Sequence, residues 1–435
     1  MPDPASPDTT RYDSPTFVKA VTDLGERRPV VSSTAIYNDK GVKLIERGVA
    51  IDGRLYDHLV AHRLSLPLDA CVHSPEGVDG AVLRKAVEDA LERRPFFGQM
   101  APVGRPRGRL LEAIEAIALP APLAFQLTLT RENRAELFDH SILMAILCAH
   151  LVSEGGATLH DMAMAAAAGL LHDVGMLHID AELLASGARL TGDERKPLYA
   201  HPLTGSMQVS RFHVYPREVA RAILEHHERM DGSGYPRGLS GSLISPLGRV
   251  LSLAEVVTAM FNGQRRYPEQ RVSLLLRMSP RRYDPDLMPS MQRLLRNRPP
   301  PDEPSSVPNG EALNRLVQLA DLLGSWPSAR AGLAAGLSGA NRSILDSIGE
   351  QIETLQRMLH QAGVTGGQLA HLGESETFDD ALRIELWALE QEVDWHLRTI
   401  ANQLQRRWHA EAASVEMPST LKDWVARISA IDKAG

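Results

Sequence analysis

Histidine is concentrated in one stretch of this chain, and that stretch is otherwise built for burial. Nine of the 16 histidines lie between His140 and His227, about one-fifth of the 435 residues. They sit on segments such as RENRAELFDHSILMAILCAHLVSE and TLHDMAMAAAAGLLHDVG. The apolar periodicity of these segments predicts helices, and their small residues let helices approach closely. A buried imidazole or carboxylate is costly unless it is paired or bound to a metal. The chain must therefore fold so that these groups meet one another or a cation, which limits the possible folds more than any other feature.

Taken in order, the polar residues of this region form a set. Glu136 and His140 are four apart and share one helix face. His172 and Asp173 end the apolar run AGLLHDVG, and His201 opens HPLTG. His226 and His227 precede Glu228 and then Asp231-Gly232-Ser233-Gly234-Tyr235-Pro236, and Glu255 lies in RVLSLAEVVTAM. Imidazoles and carboxylates together suit iron, manganese, zinc, nickel or cobalt. There are too many ligands for one tetrahedral site, so two or three ions are the natural count. A carboxylate such as Asp173 can bridge two ions about 3.5–4 Å apart, a pair that supplies a nucleophile at neutral pH and neutralises charge on phosphoryl oxygens. The inventory fits phosphodiester hydrolysis. Singly, each residue has a plainer reading: a buried histidine is usually a hydrogen-bonded core residue, Glu136 a solvated helix charge, and Asp-Gly-Ser-Gly a turn. Those readings lose force when they must all hold within about 120 residues of mostly apolar helix.

Length alone allows several domains. Residues 1–28, rich in Pro, Asp and Ser at the start, read as a mobile leader. Residues 29–128 read as a small α+β domain, with a hairpin turn at Asn38-Asp39-Lys40-Gly41 and helices over 53–62 and 79–92. The helical region then runs over 129–297, a Pro/Ser/Asp-rich linker over 298–310, and a C-terminal helical domain over 311–435. The expected class is mainly α. In the last domain a long helix is predicted over 378–412, N-capped by Thr377, with a stripe of Leu386, Leu389, Val393, Leu397, Ile400 and Leu404. That stripe packs inside its own domain or serves as a dimerisation helix. No apolar run approaches the length of a membrane span, and the N-terminus lacks the apolar core of a secretory signal. Cys71 and Cys148 cannot make a disulfide framework; a reducing cytoplasm and burial as small hydrophobes are the simplest reading. The net charge of −7, with both signs interspersed, argues against a duplex-DNA binder. It leaves room for a small anionic ligand, because metals supply local positive charge.

The run HHERMDGSGYPRGLSG, with LLHDVGM before it and HPLTG between, resembles the HD-GYP family of the HD phosphohydrolase superfamily, over residues 129–297. The resemblance implies an all-helical bundle with a metal cluster at its centre. It implies that His140, His172 and Asp173 hold one ion together with Glu255, and that Asp173, His201, His226 and His227 hold a second, with Asp173 bridging. Some members bind a third ion through a glutamate placed as Glu136 is. His172 and Asp173 would be catalytic, and iron or manganese the expected metal. The family hydrolyses cyclic di-GMP to linear pGpG or GMP, and some members favour cyclic GMP-AMP. The loop from Asp231 through Gly234, Tyr235 and Pro236 is implicated in the substrate rim and in contacts with diguanylate cyclases.

Three departures bear on activity. The family's His-Asp-x-Gly-Lys reads His172-Asp173-Val174-Gly175-Met176 here, and methionine cannot supply the lysine's charge to a phosphate, a loss of about 1.5–3 kcal/mol. The usual metal-binding aspartate is Glu255, whose extra methylene reaches about 1.5 Å further. The arginine of the family's SDRPYR-like stretch falls in NGQRRYP, one residue displaced, so that Arg265 or Arg266 takes its phosphate-binding role or is a solvated charge. The expectation is a retained metal site with an altered substrate clamp: an active but slow or atypically selective phosphodiesterase. The alternatives are a cyclic-dinucleotide sensor or protein-interaction module without turnover, and an HD hydrolase of other phosphoesters, against which the GYP tract counts.

Overall fold

Two central helices can touch backbone to backbone because their contact faces carry little side chain. Leu159–Leu171 starts at a capping box in which Thr158 and Asp161 satisfy each other's amides. Its Ala163, Ala165 to Ala168 and Gly169 are all buried. A Cβ on Gly169 would stand 2.7 Å from the carbonyl oxygen of Met144. Ala135–Ser153 is shorter than the single helix expected from residue 131. Residues 131–133 end the preceding helix Ala121–Asn133, and the chain breaks at Arg134 (φ −145°, ψ 65°). The expectation about membrane spans also needs correcting. Ala135–Ser153 is long and apolar enough to cross a bilayer by composition, but 67% of its most apolar stretch is buried inside the protein.

The computed structural model describes residues 13–101, 107–180, 195–262, 266–278, 281–296, 311–331, 339–361, 380–411 and 417–431. Contacts divide the chain into two units, Met1–Arg265 with Arg281–Pro299, and Arg266–Pro280 with Pro300–Gly435. Among the described residues the only strands make two small antiparallel sheets, and the rest of the regular structure is helical.

The first unit contains both the N-terminal region and the histidine-bearing helices, which the sequence reading had separated at residue 128. They share a core: Phe125, Leu129 and Leu177 pack with Phe17, Val21, Leu24, Ile36 and Leu68. Of the mobile leader expected over 1–28, residues 1–12 lie outside the described residues, and Pro15–Gly25 is a helix, N-capped by the Ser14 hydroxyl, which buries Phe17, Val18, Val21 and Leu24. The hairpin forms where expected. Ile36–Tyr37 pairs with Lys43–Ile45, Asn38 Oδ1 accepts from the amides of Lys40 and Val42, and Gly41 takes φ 76°. Val31–Ser32 pairs with Val72–His73. Tyr56–Ala61 follows a 3₁₀ turn at Gly53–Leu55, and Gly80–Arg93 starts at an Asp79 cap. Cys71 and Cys148 are buried free thiols.

The second unit is all helix among the described residues, built from Pro268–Met278, Glu311–Gly324, Trp326–Arg330, Gly339–Gln361, Asp380–Glu411 and Ser419–Ala430. Pro268–Met278, assigned from sequence to the metal-binding region, belongs here and pairs Arg271 with Glu392 at 3.3 Å. All six residues of the long-helix stripe are buried in this unit's own core with Leu316, Leu319, Ile352, Trp408 and Trp424. The stripe is used inside the chain, so a homodimer through it is ruled out as the role of those side chains. Thr377 and the linker 298–310 fall outside the described residues.

Candidate metal centre

Five separate segments of the first unit deliver side chains to one place. His140 lies in the second turn of Ala135–Ser153, and His172 and Asp173 follow directly on Leu159–Leu171. His201 lies within Arg195–Val209, His226 and His227 follow Arg217–Glu225, and Glu255 is on Pro246–Met260. They form two ligand groups, Asp173 with His201, His226 and His227, and His140 with His172 and Glu255, in each of which the ligand atoms lie within 4.8 Å of one another. Asp173 faces both. Its Oδ1 is 3.1 Å from His201 Nε2 and 3.7 Å from His226 Nε2, while its Oδ2 is 3.2 Å from His172 Nε2. Glu255 Oε2 lies 2.9 Å from His140 Nε2 and 3.4 Å from His172 Nε2.

Protons can be assigned on the key imidazoles. His172 Nδ1 is 2.7 Å from Gly169 O, His201 Nδ1 2.5 Å from Leu198 O, and His226 Nδ1 2.6 Å from Ile223 O. A carbonyl only accepts, so each Nδ1 carries the hydrogen and each neutral ring presents its Nε2 lone pair. His201 Nε2 and His226 Nε2 then face each other at 3.2 Å as two acceptors. His172 Nε2 and Asp173 Oδ1 are buried without a hydrogen-bond partner. Converging lone pairs of this kind repel unless a cation lies among them, and the donor set is one that divalent transition metals accept.

The electrostatics point the same way. Burial pushes His227 down to about 3 and His226 well below the usual imidazole range, so both are neutral ligands. Burial would raise Asp173 and Glu255, but His172 beside the first and His140 beside the second outweigh it and hold both carboxyls well below their ordinary range. Burial would likewise lower His172, but the neighbouring Asp173, with Glu255, lifts it to about 10. A bound cation would perform the same charge-balancing service for the two carboxylates, displacing any Nε2 proton and leaving His172 the neutral ring described above. His140 Nδ1 meets the Asn262 side-chain nitrogen at 3.0 Å. Turning that amide over leaves its heavy atoms in place and lets its oxygen accept Nδ1–H, which frees His140 Nε2 as a ligand.

The model of the HD-domain family matches residues 116–287, the span that contains every one of these ligands. Residues 116–287 are an HD domain. Curated proteins are similar to part of this chain. The 3′3′-cGAMP-specific phosphodiesterase 1 of Vibrio cholerae is 36% identical over 123 residues, 28% of this chain and 28% of that protein. The cyclic di-GMP phosphodiesterase PA4108 of Pseudomonas aeruginosa is 30% identical over 153 residues, 35% of this chain and 37% of that protein. The chain thus spans about a quarter to two-fifths of the length of these relatives. A solved structure, Bd1817, an HDG"Y"P protein from Bdellovibrio bacteriovorus, aligns over 64% of this chain and 98% of that one, at 15% identity and a TM-score of 0.35.

Beside the ligands of the HD domain, the tract after His227 is a rigid loop. Glu228 is fully buried and its two oxygens accept from the amides of Arg237 and Leu239, each at 2.8 Å. Glu225, also buried, accepts from Arg221, Arg237 and the Ser245 amide. A Cβ on Gly234 would meet His227 O and Glu228 Cα at 2.4 Å, so only glycine lets the loop lie on the metal-binding turn. Tyr235 is stacked on His227 at 4.6 Å, and the Tyr235-Pro236 bond is cis. Asp231 and Gly234, expected at the substrate, both have structural tasks: Asp231 Oδ1 caps the Ser233 amide. Pro236 is exposed.

Glu136 is exposed and lies in neither ligand group. Arg265 lies outside the described residues, and Arg266 is exposed in the second unit. Met176 is half-buried in the turn Val174–His178, where Arg134 donates to its carbonyl at 2.8 Å and to Ile179 O at 2.6 Å. Sequence reasoning missed Arg134, Asn262 and the Glu225–Glu228 clamp. Glutamates flanking two histidines in an otherwise apolar turn are a signal of the clamp. Nothing near Asn262 marks it.

Proposed function

We propose that this protein is a metal-dependent phosphodiesterase that hydrolyses cyclic di-GMP or cyclic GMP-AMP to a linear product. The observation that carries the reading is the position of Asp173, one carboxylate with an oxygen toward each ligand group. Divalent ions, for which iron and manganese are the leading candidates, would supply an activated water and neutralise charge on the phosphate. The chain's own residues do the rest. Asp173 holds the two groups in register. His172, His201 and His226 are aimed by their own helix carbonyls, and the buried walls limit water to the reacting face. The substrate class comes from the curated relatives, whose names specify cyclic di-GMP or cGAMP. In this reading the protein works in the cytoplasm, and Met176 makes turnover slow.

The test is direct. The full chain is purified under anaerobic Fe²⁺ or with Mn²⁺, given cyclic di-GMP and cyclic GMP-AMP in turn, and linear products are followed by chromatography beside Asp173→Asn. Product from the wild type and none from the variant supports the reading. Tight binding with no product from either protein would replace it with the sensor reading, for which Met176 in place of a cationic residue is the supporting observation.

A further inference from the structure

An aromatic series leads from one ligand group to the protein surface. His227 belongs to the first group. Tyr235 lies flat on it, with ring centroids 4.6 Å apart at 25°. Tyr199 follows at 4.6 Å from Tyr235, tilted by 53°, and it remains 43% exposed. Tyr199 stands on Arg195–Val209, two residues before His201, so the helix that aims a ligand also sets this ring. An exposed tyrosine ring beside a charged centre leaves apolar area in water that a planar ligand would cover.

We infer that Tyr199 is a specificity-determining residue that stacks a nucleobase of the substrate, with its reacting phosphate at the ligand groups. The inference rests on the phosphodiesterase reading above and adds the element that recognises the base. A cyclic dinucleotide carries one base on each side of every phosphate, so a ring two aromatic steps from His227 is within reach of a base whose own phosphate is at Asp173. Stacking is tolerant of base identity because every base has a π face. Tyr199 therefore selects nucleotides over base-free phosphodiesters, not guanine over adenine. Leu203 and Met207 are exposed on the same helix face, one and two turns on, and provide a control for general changes to that face.

The experiment uses the Mn²⁺-loaded full chain with Tyr199→Ala, Tyr199→Phe and Leu203→Ala. Rates with cyclic di-GMP and inhibition by inorganic phosphate are measured for each. Tyr199→Ala is expected to raise KM about tenfold, with kcat and phosphate inhibition unchanged; Tyr199→Phe restores the wild-type KM and Leu203→Ala leaves it alone. An unchanged KM in Tyr199→Ala overturns the inference, as does a parallel loss of phosphate inhibition, which would mean a disturbed metal site. If the wild type makes no product, the phosphodiesterase reading fails separately, and the same variants are compared by equilibrium binding of cyclic di-GMP. A tenfold weaker complex for the alanine variant still supports stacking; equal affinity, or no binding by the wild type, overturns it.

Discussion

Replacing Gly175 with alanine would place a methyl carbon 2.2 Å from the carbonyl oxygen of His201 and 2.8 Å from the amide nitrogen of Gly205. Real Cβ contacts stop near 3.0 Å, so the turn after Asp173 and the helix carrying His201 must part by about 0.8 Å, the difference between 3.0 and 2.2. Both obstructing atoms are backbone, and no rotamer change relieves the clash. Two residues away, Asp173 Oδ1 and His201 Nε2 face each other at 3.1 Å. Metal sites tolerate about 0.2 Å in ligand distance, so the shift is about four times the tolerance. The expected result is a metal affinity lowered by at least about tenfold, with overpacking costing about 1–3 kcal/mol. For a unit of this size that corresponds to a Tm lower by roughly 2–12 °C. The assay is metal content by mass spectrometry after dialysis against a series of metal buffers, with thermal unfolding in parallel. Met176→Ala serves as the neighbouring control. A Gly175→Ala protein with wild-type metal content and Tm would refute the claim that this close approach sets the ligand spacing.

Asn262→Ala should lower metal affinity by about 10–100-fold while leaving the fold intact, because it removes the group that orients His140; titration with Mn²⁺ monitored by unfolding temperature reads this, and an unchanged affinity counts against the orienting role. Met176→Lys should strengthen cyclic-dinucleotide binding by about tenfold or more, from one charge-assisted contact of about 1.5–3 kcal/mol; calorimetry showing no gain would mean that position 176 does not face the phosphate. Burial pushes His178 down to about 4, whereas the unfolded residue titrates near 6.5. Between those values the unfolded chain binds the extra proton, so stability falls as pH drops through that window, by up to about 3 kcal/mol. His178→Phe, which keeps the stack on Phe17, should flatten this acid limb in urea titrations relative to wild type, and parallel curves would show that His178 is not its source.

How much of this was legible in the sequence varies with the kind of interaction. That the seven residues of the two groups would meet was readable because each is a costly polar group on an apolar segment, and their joint presence has few physical excuses. Glu136 stands apart from them: one helical turn from His140 is a statement about face, and it does not say whether that face is covered at both ends. The helix Pro15–Gly25 was hidden by the composition of the residues before it, although Phe17, Val18, Val21 and Leu24 are spaced for a helix. The division between units was misjudged at Pro268–Met278 because amphipathic spacing shows that a helix has a buried side without naming the core that buries it. Arg134 and Asn262 act on carbonyls and ring nitrogens contributed by distant segments, contacts that no local pattern records.

The carbonyls behind His172, His201 and His226 each come from the residue three positions earlier in the same stretch of chain. Every one of these rings is thus steered by its own turn of backbone, independently of its companions. Loss of a single ligand would leave the remaining rings still pointing inward, as a vacant but shaped receptacle. The ring orientations are therefore set by backbone that folds locally, and the shape of the centre does not depend on any one companion ring.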